Sequence, residues 1–262
     1  VQHSASLAES LSQEFSRRAW YAYSQEWSWM DLLGGDRFYG NRLLYFYYLW
    51  TQTLYPGFSL GDAERQELLS LPLLESEEAA FPSGPERAGV VTSPTFLTRF
   101  NNFRSRVRAL TNQLLCHDVD GSTNIDQTNE FLNPDFTEFD LSHGGKAECA
   151  YCHYAMDNQG STLMGWAEEG VLYEDPEDWI STLGHAFGET GDGPAFLVRG
   201  YIERGPGFAE CMAKTAWQDL AGSPWEDLAE VDQAVFVDAA AGGPRTLLRA
   251  VMTSEILRLL RN

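Results

Sequence analysis

Near the start of the chain, apolar residues recur at helical spacing. Leu7, Leu11, Phe15, Ala19 and Ala22 fall three or four positions apart, the period that lines up one face of an α-helix. This predicts a helix over residues 4–30, with Ser4 or Ser6 as its cap. Its far end collects Trp20, Tyr21, Tyr23, Trp27 and Trp29, either as core against the next helix or as the wall of a pocket. Gly34-Gly35-Asp36 marks a turn. The run from Leu43 to Trp50 is apolar enough for a buried strand as well as a helix. Its length and the helix before it favour a helix over residues 37–50. Asp62 is placed to cap a short helix through Ser70.

The second part of the chain alternates irregular stretches with short helical patterns. Pro72, Pro82, Pro85 and Pro94 break residues 72–95. A helix from Asn102 to Leu115 carries Arg104, Arg106 and Arg108. Residues 127–146 lack periodicity. A short helix over 147–156 follows, with Gly160 as its expected break. Asp175-Pro176-Glu177-Asp178 has the composition of a helix start, which predicts a helix to about Phe187 that contains His185, and then a loop from Gly188 to Pro194. Further helices are expected from Ala195 to Glu203, Phe208 to Leu220 and Pro224 to about Val235. The last follows Gly242-Gly243-Pro244, with Leu247, Leu248, Val251, Ile256 and Leu259 as its stripe. The expected fold is mainly α, an irregular helical domain with long loops. It divides into an amino-terminal helical region, 1–71, packed on a region 72–262, as one compact unit overall.

The stretch with the most definite chemistry is Cys149-Ala150-Tyr151-Cys152-His153. Two cysteines separated by two residues, followed by histidine, is the arrangement for covalent attachment of a c-type haem. Two thiols about one helical turn apart can add to the two vinyl groups of one porphyrin, and the adjacent histidine then faces the iron as proximal ligand. On this reading the helical domain encloses one haem. Other chemistries share the spacing. A redox disulfide of thioredoxin type belongs after a strand in a βαβ unit, and no such pattern lies nearby. A structural zinc site needs two more ligands, which Cys116, His117 and His143 could supply. Candidates for a sixth iron ligand are Met164 and His185, ranked ahead of Met212, His143 and His117. Met156 lies too close behind His153 to reach the opposite face. Arg104 and Arg108 are candidates to pair haem propionates or an acidic partner segment, the plainer reading being a surface face balanced by nearby acids.

Composition narrows the setting. The chain has 262 residues, is 44% apolar and 21% charged, and carries a formal charge of -20 from 38 acidic and 18 basic side chains. Such a field disfavours nucleic acid and anionic membrane surfaces, and suits a basic partner, a multivalent cation or a saline medium. No apolar run is long enough for a transmembrane helix. The start, Val1-Gln2-His3-Ser4, does not read as a signal peptide, so the numbering is expected to begin after a removed export signal or at a cloned boundary. Beyond the haem motif, Cys116 and Cys211 remain, either as a disulfide, which an oxidising compartment permits, or as separate thiols. Asp118, Asp120, Ser122, Asn124 and Asp126 alternate like the first positions of a calcium loop. The glycine sits fourth and Asn129 stands where a glutamate is expected, so a polar surface loop is the plainer reading.

Arg87-Ala88-Gly89-Val90-Val91-Thr92, the basic helix ending at Cys116, the haem motif, and Met156-Asp157-Asn158-Gln159-Gly160 form an ordered set. Together they resemble the carboxy-terminal region of large planctomycete-type proteins, c-type cytochrome-like domains of unknown function. Phe208-Ala209-Glu210-Cys211-Met212-Ala213-Lys214 resembles a neighbouring segment of that family, and Asn41-Arg42-Leu43 its preceding helical region. Two departures stand out. The acidic stretch Asp118 to Asp126 replaces a proline-rich loop, and Ser161 to Trp166 replaces the family's acidic-aromatic stretch after the glycine. The resemblance implies export to the periplasm or the extracellular space of a bacterium, covalent haem and a mainly helical build. The expected function is electron transfer to or from a protein partner. A helical assembly subunit of a larger redox complex and a haem enzyme of peroxidase type are the alternatives.

Overall fold

The computed structural model describes residues 2–53, 61–73, 75–82, 87–118, 156–157, 159–163 and 183–260. Within them the chain is mainly helical. The helix expected over 4–30 is three helices: α1 (Gln2–Ser12), α2 (Glu14–Gln25) and α3 (Trp29–Gly34). Glu26 ends α2 in the left-handed conformation. Ser28 then starts α3 through a capping box with Asp31, in which each side chain accepts from the other residue's backbone N–H. The face turned inward overlaps the one predicted, since Leu11 and Phe15 pack against the cores and Ala22 is buried, but it is centred elsewhere. Ala19 is exposed and Phe15 is half-buried, whereas Ser10, Glu14, Arg18 and Ala22 are buried. That stripe repeats every four residues but is largely polar, so hydrophobic periodicity misses it.

The second predicted helix begins late. Residues Arg37–Gly40 form strand β1, and α4 spans Arg42–Thr53. Asn41 explains the boundary: its side-chain oxygen accepts from the N–H of Leu44, the work of a cap residue. Strand β1 pairs antiparallel with β2 (Glu77–Ala80), Arg37 opposite Ala80 and Gly40 opposite Glu77. Between them runs α5 (Asp62–Ser70), in which Asp62 is the first helical residue and Gly61 the cap position. Phe38, Tyr48 and Phe81 pack ring against ring, with Leu44, Leu49 and Leu71 around them, as a small aromatic core.

A 3-10 turn at Gly89–Thr92 leads into α6 (Pro94–Arg99), capped by the Ser93 hydroxyl. Helix α7 (Phe103–Leu115) follows the sequence reading closely, because Asn102 and Ser105 form a capping box. Later, Leu183–Ala186 is strand β3, paired with β4 (Glu189–Asp192). This corrects the helix expected to reach Phe187 and the loop expected from Gly188. Phe187 and Gly188 both have positive φ, 51° and 83°, the backbone of the tight turn that matches strand twist in a hairpin. Buried Phe187 is held edge-on against Tyr201 at 5.1 Å.

Helices α8 (Gly193–Glu203), α9 (Phe208–Ala221), α10 (Glu230–Ala241), α11 (Pro244–Thr253) and α12 (Glu255–Leu260) complete the described chain. The segment read as helical from Pro224 opens as a 3-10 turn, Trp225–Asp227, before α10 begins. The last predicted helix breaks at Ser254, whose hydroxyl accepts from the N–H of Leu257 and so caps α12. These elements and α7 enclose the larger core, where Trp217 stacks on Phe236 at 5.7 Å. Trp29 of α3 enters the same core. Its indole N–H donates to Ala240 O at 2.7 Å and its ring meets Phe208 edge-on.

Candidate functional site

The haem motif, Cys149, Cys152 and His153, lies outside the described residues, as do Met164, His143 and the calcium-loop positions Asp120, Ser122, Asn124 and Asp126. The structure does describe the frame on either side of them. At one end α7 closes on Cys116, which adopts the left-handed conformation. Cys116 is joined to Cys211 of α9 by a disulfide, with Cα atoms 5.3 Å apart. At the other end, residues 156–157 and 159–163 return onto the same helix.

That return is fixed by polar contacts, some partly and some fully buried. Arg104 grips Asp157 with two parallel bonds, Nε to Oδ1 at 2.5 Å and a terminal nitrogen to Oδ2 at 3.0 Å, the geometry in which a guanidinium binds a carboxylate most strongly. Arg106 is buried and donates to Phe100 O at 2.8 Å and to Leu163 O at 3.2 Å. The Tyr201 hydroxyl lies 2.7 Å from Thr111 Oγ1 and donates to Gln159 Oε1 at 2.7 Å. Burial pushes this phenol well above its ordinary range, so it stays protonated as a donor. Gly160 is not a helix break. It lies in helical backbone that runs on into a 3-10 turn at Ser161–Leu163. It is glycine because Phe103 is close: a Cβ there would stand 2.4 Å from Phe103 Cδ2. Helix α7 is thus a spine to which both approaches to residues 119–155 are tied.

The other predicted site residues fall as follows. Arg108 faces Asp118 at 3.4 Å, both half-exposed, and Asn112 donates to the same carboxylate oxygen. Such a pair contributes little to stability. Both arginines read as propionate partners therefore have a carboxylate of this chain beside them. His185 is in β3, opposite Thr190. Cys116, proposed above as a zinc ligand, has no thiolate to give while it is bonded to Cys211. Among the described residues no group of His, Cys, Asp and Glu is arranged to hold a metal ion.

One cluster escaped the sequence reading. Glu14, Arg18, Tyr48 and Arg87 are buried together between α2, α4 and the chain leading to the 3-10 turn. Tyr48 donates to Glu14 Oε1. Arg18 donates to the carbonyls of Leu32 and Asp31, closing the end of α3. Arg87 donates to Thr51 Oγ1 at 3.0 Å and lies 4.7 Å from the centre of the Tyr48 ring. Burial raises the Glu14 carboxyl to about 7, against the opposing pull of the Tyr48 bond and the two arginines. Burial likewise lowers Arg87 to about 10. The only sequence signal was a charged pair, Glu14 and Arg18, set one helical turn apart, and such pairs are ordinarily solvated. Each member ties one element to another, so the cluster holds the amino-terminal helices in register.

Comparison with protein-family models, with curated proteins and with solved structures finds no match.

Proposed function

We propose that this chain is an exported monohaem c-type cytochrome that passes electrons to or from a protein partner. The observation that carries the reading is the sequence Cys149-Ala150-Tyr151-Cys152-His153. The disulfide adds support by elimination. The chain has four cysteines, and Cys116 and Cys211 are bonded to each other. That leaves Cys149 and Cys152, a pair at the spacing for two thioether bonds. A disulfide between distant residues also belongs to an oxidising compartment, and haem ligation in bacteria takes place outside the cytoplasmic membrane.

The donor set fits the group: two thiols for covalent attachment and an imidazole for the iron. A haem held there would supply one-electron redox chemistry. The chain's own contribution is to anchor both approaches to the motif on α7, through Cys116 at one end and Asp157 at the other. Met164 and His185 remain the proposed candidates for a sixth ligand. The acidic surface favours a partner with a basic face.

The test is an absorption spectrum, oxidised and reduced, of protein made in a host that attaches haem, followed by its mass after denaturation. A haem spectrum with one haem retained after denaturation is expected, and both should vanish in the Cys149→Ser, Cys152→Ser double variant. Protein that carries zinc, or a Cys149–Cys152 disulfide, and no iron would overturn the reading.

A further inference from the structure

Helix α10 carries apolar residues on both its inner and its outer side. Its inner face is enclosed: Phe236, Ala239 and Ala240 are buried. Its outer face is open. Val231 is 69% exposed and Val235 55%, on adjacent turns of one side. Next to them, between α10, α9 and the 3-10 turn, lies an open groove of about 470 Å³ floored by Ala209, Trp225, Ala234 and Val237. Its rim carries Glu210, Glu230 and Asp238, with no basic side chain among the lining residues. The nearby Lys214 is paired with Glu226 at 2.9 Å.

We propose that the groove between α9 and α10 is a docking site for a basic amphipathic helix of a partner protein. The apolar floor supplies the area to bury, and methyl groups of alanine and valine make a shallow bed along which a helix can lie. At twelve residues, α10 offers a track of roughly 18 Å. The rim fixes the sign of the partner: three carboxylates on a chain of charge -20 attract lysine and arginine on the flanks of the incoming helix and repel acidic peptides and anionic lipid. The site uses no residue of the haem motif, so it stands or falls separately from the cytochrome reading.

The probe is a fluorescent lysine–leucine peptide with leucines at helical spacing. Its binding to the full chain is compared with that of a scrambled peptide of identical composition, whose leucines form no stripe. The amphipathic peptide should bind at least tenfold more tightly than the scrambled one. Ala234→Arg, an exposed position in the groove, should weaken it at least tenfold. Trp20→Arg, on exposed surface of α2, makes the same change in charge elsewhere and should leave most of the binding intact. Circular dichroism verifies that both variants fold. Equal affinity for the two peptides, or equal losses in the two variants, would reduce the effect to net charge and overturn the site. Sedimentation that shows self-association abolished by Ala234→Arg would also overturn it, because the occupant would then be a second copy of this chain.

Discussion

The Tyr48 hydroxyl donates to the Glu14 carboxyl in the interior of the amino-terminal helices, where both side chains are buried. The other carboxyl oxygen of Glu14 has no hydrogen-bond partner. Two arginines stand near enough to favour the charged form, yet burial outweighs them and sets the carboxyl at about 7 against 4.5 for the free group. Between those values the folded chain binds a proton more readily than the unfolded chain does. The stability from this group is complete below about pH 4.5, falls as pH rises through 7, and is flat beyond. The gap corresponds to about 3 kcal/mol. Glu14→Gln keeps an acceptor for Tyr48 and removes the titration. Urea unfolding from pH 4.5 to 8 should show the variant gaining on the natural chain by about that amount as pH rises. Parallel curves would mean that the carboxyl is ionised throughout, held so by Arg18 and Arg87.

The Cys116–Cys211 bond closes a loop of 95 positions in sequence. A closure this long removes much of the unfolded chain's freedom, so replacing both cysteines with alanine should cost roughly 3–5 kcal/mol. Thermal unfolding of the double variant should match that of the reduced natural protein. Peptide mapping without reduction should find Cys116 linked to Cys211 and to no other residue. A crosslink from either one to Cys149 or Cys152 would contradict the pairing and remove the argument by elimination for the haem motif.

Tyr201 joins three segments through one buried oxygen, near Thr111 on α7 and Gln159 in the returning chain. Tyr201→Phe keeps the ring against Phe187 and deletes only the hydroxyl. The expected loss is about 1–2 kcal/mol, since both partners lose a buried bond. Hydrogen exchange should quicken at residues 159–163 more than in α9. A uniform change across the molecule would instead mean that Tyr201 serves the core as a whole.

What the sequence made legible depended on how each element is specified. Helix α7 was readable because its start is encoded locally, by Asn102 and Ser105, and its apolar positions keep helical spacing. The hairpin of β3 and β4 was not, because its signal is a Phe187-Gly188 turn in left-handed backbone, and phenylalanine seldom adopts that conformation. Its strands are also only four residues each. On α2 the reading followed Phe15 and Ala19 and missed the centre of the buried face, since Glu14 and Arg18 look solvated until Tyr48 and Arg87 are brought beside them by distant chain. The Cys149-to-His153 spacing, which carries the haem proposal, was legible because it is local. Its frame was not, because Arg104 and Asp157 meet across more than fifty positions.

Gly160 gives the sharpest test of that frame. Alanine in place of a helical glycine ordinarily stabilises, by about 0.4–1 kcal/mol, through the unfolded chain. Here a Cβ would stand 2.4 Å from Cδ2 and 3.3 Å from Cγ of Phe103, and relieving such an overlap typically costs about 1–3 kcal/mol. The clash should win, and Gly160→Ala should destabilise in urea unfolding. Phe103 is only partly buried, so its ring has some room to yield, which argues for the lower half of that range. Phe103→Ala removes the obstructing ring. Added to Phe103→Ala, the glycine change should then become neutral or mildly stabilising, reversing its sign. If Gly160→Ala stabilises the natural chain as well, residues 159–163 do not pack on α7 as closely as described, and the anchoring of the motif there fails with them.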